Sequence, residues 1–284
     1  MYDAGTASKS ELETHVLQRV NGEARLRFRQ AAGCTRLADL YQAGSAKIRF
    51  PKVYDAPPTA VLINTAGGLT GGDRMVLSIG ADAKTHAIVT SQTAERAYRS
   101  AAGSAEVTVG FTLEPGAFLE WLPQETILFQ ASRLKRRISA ALTGDARLLM
   151  LESAVLGRKA MGEQVTSVLF RDSWRILRDG RLVFADDLRF DGDPARFLKG
   201  KATGHGSLAI ATMVDCALDA EDRLARARSL LDDLTGTRTQ AAASAWNGIL
   251  AARFVAEDGQ ALRATLTRFL TGYRSAELPR VWHC

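Results

Sequence analysis

Glu106-Val107-Thr108-Val109-Gly110-Phe111-Thr112-Leu113 alternates with period two: Val107, Val109, Phe111 and Leu113 share one face, and Glu106, Thr108 and Thr112 share the other. Successive side chains of a strand point to opposite sides, so this alternation is the mark of a strand with one buried face. Pro115-Gly116 then turns the chain into Phe118-Leu119-Glu120-Trp121-Leu122, which Pro123 ends. The pattern continues on both sides. Asp179-Gly180 fits the two-residue turn of a hairpin between Trp174–Arg178 and Arg181–Phe190, and turn signals recur at short intervals. Residues 19–203 therefore read as a β-rich body of many short strands.

Past the glycine-rich stretch Gly200–Gly206 the periodicity changes. Ser207–Ala217 reads as a strand, Ala220–Leu234 has helical spacing, Gln240–Ala256 is a hairpin about Asn247-Gly248, and Gln260–Phe269 is helical again. Residues 204–284 are thus expected to form a smaller α+β portion packed on the body. Residues 1–18 read as a flexible N-terminal segment. They carry acids and no apolar run, so no secretory leader is expected.

Composition narrows the function. The chain has 284 residues, 46% of them hydrophobic, and no apolar run long enough to span a membrane. Its three cysteines, Cys34, Cys216 and Cys284, are odd in number and far apart. That spacing excludes a disulfide framework or a structural zinc knuckle and makes a cytoplasmic location the default. The net charge of +6 comes from scattered arginines, with one dense cluster at Arg133, Lys135, Arg136 and Arg137. A well-mixed surface is the first reading of it and an acidic protein partner the next; no aromatic residues interleave with it, so no nucleic-acid partner is expected, and without a spanning run no membrane partner either.

Asn64-Thr65-Ala66-Gly67-Gly68-Leu69-Thr70-Gly71-Gly72-Asp73 places four glycines in six residues after the apolar run Ala60–Ile63. It is not a phosphate cradle. A P-loop needs a lysine where Asp73 stands, and the dinucleotide fingerprint cannot be laid on Gly67, Gly68, Gly71 and Gly72. These glycines are expected to shape a turn, with Asp73 either capping it through backbone N–H groups or lining a path. No Gly-x-Ser-x-Gly motif is present, and His205 beside Ser207 and Glu120 near Glu125 fix no catalytic geometry. The residues make no positive case for an enzyme.

Three strands carry an anomaly. Glu152 shares a face with Leu148, Met150 and Ala154; Asp186 with Leu182, Phe184, Leu188 and Phe190; Glu120 with Phe118 and Leu122. A buried carboxylate is costly unless paired or hydrated. Three readings stand: pairing by arginines such as Arg99, Arg158 or Arg189; faces that meet solvent; or a wet internal path lined by oxygen ligands. Isolated carboxylates hold a late first-row cation weakly, as a conduit requires. His15, His86, His205 and His283 form no cluster in the sequence, although His283-Cys284 with the terminal carboxylate is a set able to hold a soft or borderline metal weakly.

The Asn64–Asp73 run resembles the signature loop of the UreD (UreH) family of urease accessory proteins. Thr90–Ser100, Leu119-Glu120-Trp121-Leu122-Pro123-Gln124-Glu125, Leu156-Gly157-Arg158 with Gly162-Glu163, and Leu278-Pro279-Arg280-Val281-Trp282 are similar to further blocks of that family, in the same order. The resemblance implies a superhelical, β-helix-like stack of strands. It also implies a non-enzymatic chaperone that binds apo-urease, recruits UreF and through it the GTPase UreG, and helps deliver Ni(II) to the urease dinickel site. No permanently bound cofactor is implied, only transient Ni(II). Family members are thought to contain an internal nickel tunnel, whose acidic positions carry over onto Glu152 and Asp186.

Overall fold

The computed structural model describes residues 19–52, 57–158, 161–234, 236 and 238–283. The N-terminal segment 1–18, with His15, and Cys284 of the tail lie outside the described residues. The β-rich body begins with β1 (Asn21–Ala31), β2 (Cys34–Gly44), β3 (Ala46–Arg49), β4 (Thr59–Asn64), β5 (Arg74–Ala81) and β6 (His86–Ser91). It continues with β7 (Glu95–Ala97), β8 (Ala105–Leu113), β9 (Phe118–Leu122), β10 (Thr126–Leu128), β11 (Arg133–Leu142) and β12 (Arg147–Leu156). Two long strands, β13 (Val168–Arg178) and β14 (Arg181–Gly192), follow, then a short helix α1 (Pro194–Leu198).

From β4 onward the chain alternates between two sheets. β5, β8, β11 and β13 enter the smaller sheet, while β4, β6, β9 and β12 enter the larger. Same-sheet neighbours along this winding pair in parallel. The result is a β-solenoid of about four turns. Each turn contributes inward apolar residues at fixed register, so the core between the sheets is a set of stacked rows. Val109, Phe111 and Leu113 of the opening stretch are buried in it, as the alternation predicts.

Both ends of the solenoid change to antiparallel pairing. β1 pairs with β2 at the start and β13 with β14 at the finish. Asp179 and Gly180 both have positive φ (50° and 76°), the backbone that a two-residue hairpin turn of this hand demands. One detail of β14 departs from strict alternation. A bulge opposite Ile176/Leu177 leaves Val183 unpaired, so Leu182 turns outward and is exposed while Phe184 stays buried.

Beyond Gly200–Gly206, which is a run of turns, the chain rejoins the larger sheet. β15 (Ala209–Cys216) pairs with β12, and the hairpin of β16 (Thr239–Trp246) and β17 (Ile249–Ala256) pairs with β15. The helices α2 (Leu224–Leu234) and α3 (Gly259–Arg274) cover the outer face of these strands. Leu262, Leu266, Phe269, Leu270 and Tyr273 form the buried stripe of α3, whose N-terminus Asp258 caps by accepting from the Ala261 amide at 2.9 Å. The larger sheet is thus apolar on both faces. On β12, Leu148, Met150 and Ala154 point into the solenoid, and Leu149, Leu151 and Val155 point at the helices. Among the described residues no helix is long and apolar enough to cross a membrane.

Candidate functional site

The glycine-rich loop is built to lie against the Thr90–Ser100 block. The Leu69 amide donates to the Arg96 carbonyl and the Tyr98 amide to the Leu69 carbonyl, each at 2.7 Å. At Gly68 a Cβ would sit 2.3 Å from the Tyr98 ring, and at Gly71 1.9 Å from Ser100 Oγ, so neither position admits a side chain without the neighbour giving way. Asp73 is buried, and its two oxygens accept from the Val20 and Thr70 amides at 2.9 and 2.7 Å. Of the two roles expected for Asp73, the geometry gives it the capping one. Gly67 and Gly72, with φ of 74° and 90°, bend the loop.

This loop forms part of the rim of a cavity of about 130 Å³ between the sheets. Asn64, Gly67 and Gln92–Arg96 stand at the rim, Leu69, Leu77, Val109 and Leu134 line the wall, and Trp121, Arg136 and Glu152 close the inner end. Glu95 at the rim accepts from Asn64 Nδ2 at 3.1 Å, and burial raises its carboxyl above the ordinary range. A second, smaller cavity of about 30 Å³, room for little more than a water molecule or two, begins at Arg136 and Glu152 and reaches Asp186 and Thr212.

The junction is a buried charged triad. In the smaller sheet one inward row reads Met75, Val107, Arg136, Asp172, Leu188 across five strands. Where two turns supply apolar side chains, the next two supply a guanidinium and a carboxylate. Arg136 grips Asp172 with Nε and Nη2 at 2.9 and 2.5 Å, and its Nη1 donates to Glu152 from the facing sheet. Glu152 also accepts from Trp121 Nε1 at 2.8 Å. All three charged side chains are less than a tenth exposed. Burial pushes the Glu152 carboxyl up to about 7; Arg136 pulls it down, Asp172 pushes it further up, and the Trp121 bond pulls down again.

The remaining predicted residues fall elsewhere. Asp186 lines the far end of the second cavity, partly exposed, with Arg253 Nη2 donating to it at 2.9 Å. Glu120 is buried on the opposite face of the larger sheet. There Arg274 of α3 and His86, at 2.8 Å, hold it, and its carboxyl lies below the ordinary range despite burial. Glu120 shares that helical layer with Asp215, which takes Arg147, Arg223 and Tyr273 as partners. The arginines that neutralise the three predicted carboxylates are thus Arg136, Arg253 and Arg274, not Arg99, Arg158 or Arg189. His283 belongs to a short 3-10 turn at the end of the chain. Among the described residues no group of three or more His, Cys, Asp and Glu side chains is placed to hold a metal ion.

Arg136 and Asp172 are the members of the triad that sequence reasoning misses. The signal was present: Arg136 alternates in phase with Leu134 and Ile138, and Asp172 with Phe170 and Trp174. Reading Arg136 as one of a basic cluster hid it. Two carboxylates share one guanidinium, so the junction carries one net negative charge when all three groups are ionised. Oxygen ligands alone bind a late first-row ion weakly.

The Leu119–Glu125 block and the Leu278–Trp282 block are tied to each other and to α3. Gln124 donates to the carbonyls of Gln92 and Val281, both at 2.9 Å, and accepts from Arg263 of α3. Trp282 Nε1 donates to the Leu122 carbonyl at 3.1 Å. The Leu119–Glu125 block and the chain's ending are thereby pinned together beneath α3.

Comparison with known proteins agrees with this assembly of motifs. The family model described as "UreD urease accessory protein" matches residues 20–283. A urease accessory protein UreD of Rhizobium etli is 46% identical over 94% of this chain and 96% of its own length. The corresponding protein of Rhizobium leguminosarum bv. trifolii is 45% identical over the same shares. That of Azorhizobium caulinodans is 41% identical over 93% of this chain and 97% of its own. The chain belongs to the UreD family of urease accessory proteins.

Proposed function

We propose that this chain is a urease maturation chaperone, a scaffold that binds apo-urease together with UreF and, through UreF, UreG, and that it passes Ni(II) along the internal path from the glycine-rich rim past Glu152 to Asp186. Family membership supports the maturation role. The observation that carries the path is that two cavities meet at a buried carboxylate with more acid than base around it. The ligands along the way are carboxylate oxygens, which hold a late first-row ion weakly, so the cargo is not trapped. The chain's own chemistry is limited to attracting the ion, replacing part of its water shell and releasing it; no covalent step is involved.

Glu152→Gln keeps the side chain's volume and removes its charge. In a urease operon co-expressed with the variant chain, it is expected to leave the accessory complex intact while lowering urease nickel content, and Asp186→Asn to do so less strongly. Normal nickel content in both variants and in the double variant would exclude the path.

A second reading, a binding scaffold with no metal path, draws on the fact that Glu152 and Asp186 each carry a guanidinium partner. Under it, urease activation tracks complex assembly alone, and the same substitutions change neither.

A further inference from the structure

Among the described residues, Arg136 and Glu152 are the two lining side chains that the cavities have in common. Their ion pair is therefore the wall between them. The guanidinium is held unequally. It grips both oxygens of Asp172, its register partner on the adjacent strand, so these two groups are carried by one piece of backbone ladder. A single nitrogen, Nη1, reaches Glu152 from across the core, with Thr126 Oγ1 as a weak additional acceptor at 3.3 Å. Glu152 has its own second donor in Trp121.

We propose that Arg136 is the gate of the path: hinged on Asp172, latched on Glu152, and occupying the place a divalent cation takes in transit. This rests on the conduit reading above and names its regulation. Opening the latch alone leaves Glu152 buried with one hydrogen bond for its charge, which keeps the gate shut at rest. An arriving divalent cation supplies the missing charge at the moment Nη1 lets go, so the carboxylate exchanges one cation for another and is never left unpaired. The bidentate grip on Asp172 keeps the displaced guanidinium compensated throughout. Deprotonation cannot open the gate, because a guanidinium stays charged. The opening event in this proposal is competition between the cargo's charge and Nη1 for the Glu152 carboxylate.

The test is calorimetric titration of Ni(II) into the full chain purified in its accessory complex, beside urease nickel content from co-expression. Arg136→Met removes the resident cation and keeps the bulk. It is expected to tighten Ni(II) binding roughly tenfold, because two carboxylates then face the ion with no guanidinium competing. Adding Glu152→Gln should abolish that gain. Arg136→Lys retains a charge but cannot span both carboxylates, and is expected to tighten binding about threefold. It decides the question if the methionine variant fails to fold. Wild-type Ni(II) affinity in a folded Arg136→Met or Arg136→Lys variant, while Glu152→Gln still starves urease of nickel, overturns the gate and leaves the path. Normal urease nickel with Glu152→Gln alone overturns the path, and the gate with it.

Discussion

The larger sheet buries carboxylates on both faces and compensates them differently. On the helical side, Asp215 has two arginines and a tyrosine hydroxyl, and Glu120 has Arg274 and a histidine ring. On the solenoid side, Glu152 and Asp172 share one guanidinium. Protonation differs as well: Glu120 is held below the ordinary carboxylate range by His86 and Arg274 despite its burial, whereas burial, with Asp172 adding to it, pushes Glu152 up to about 7. The cavities that reach Glu152 do not touch Glu120 or Asp215. Buried acid with surplus base serves as a structural clamp, here holding α3 to the sheet. Under the proposed path, it is the buried acid in deficit beside open space that takes up another cation.

The largest effect should come from removing base on the helical side. Arg274→Ala strips Glu120 of its guanidinium and also frees the carbonyls of Ala276 and Glu277, which Arg274 caps at 3.2 and 3.0 Å. A buried ion pair broken from one side loses about 3–5 kcal/mol. The denaturant midpoint should fall accordingly, with α3 the first element to lose hydrogen-exchange protection. A loss below about 1 kcal/mol would mean that His86 alone satisfies Glu120, and the contrast between the faces would weaken.

The strand parity of Glu120 and Glu152 was legible in the sequence, but parity says only which neighbours along a strand share a face. It does not say what lies over that face. Glu120 and Glu152 looked alike because Leu122 and Met150 are equally apolar companions; one face meets helices and the other the facing sheet. That assignment depends on solenoid register and on where α3 docks, both set by pairings distant in sequence. Asp179-Gly180 and Asn247-Gly248 were readable because positive φ at both turn positions is a local demand. Arg136 is hard to find in the sequence because it sits in a run of charge, Arg133 to Arg137, that masks the strand alternation splitting the run between surface and core. The meeting of Arg136 with Glu152 lay further out of reach, since it joins two sheets through a contact that no local pattern encodes.

A matched pair of neutral substitutions sharpens the comparison with a smaller effect. Glu120→Gln leaves Arg274 buried against an uncharged partner and should cost about 2–3 kcal/mol. Glu152→Gln retains an acceptor for Trp121, and Asp172 still neutralises Arg136, so its cost at pH 7 should stay within about 1 kcal/mol of zero. Equal losses in urea unfolding of the two variants would show that the faces do not differ in charge balance.

The smallest expected signal is a difference in pH dependence, and it carries opposite signs on the two faces. Glu152 binds its proton more tightly folded than unfolded, so the folded state holds the extra proton between about pH 4.5 and 7 and this group makes stability fall as pH rises through that window. Glu120 is shifted the other way: its contribution is present above the unfolded carboxylate value and is lost as pH falls through its lower folded value. Melting temperatures from pH 4 to 8, taken as wild type minus variant, should therefore decline with pH for Glu152→Gln and rise from the acid end for Glu120→Gln. Because each difference cancels every titrating group outside the mutated site, two curves of the same sign would mean that Glu152 is ionised as readily as Glu120 and that its guanidinium is enough for both acids.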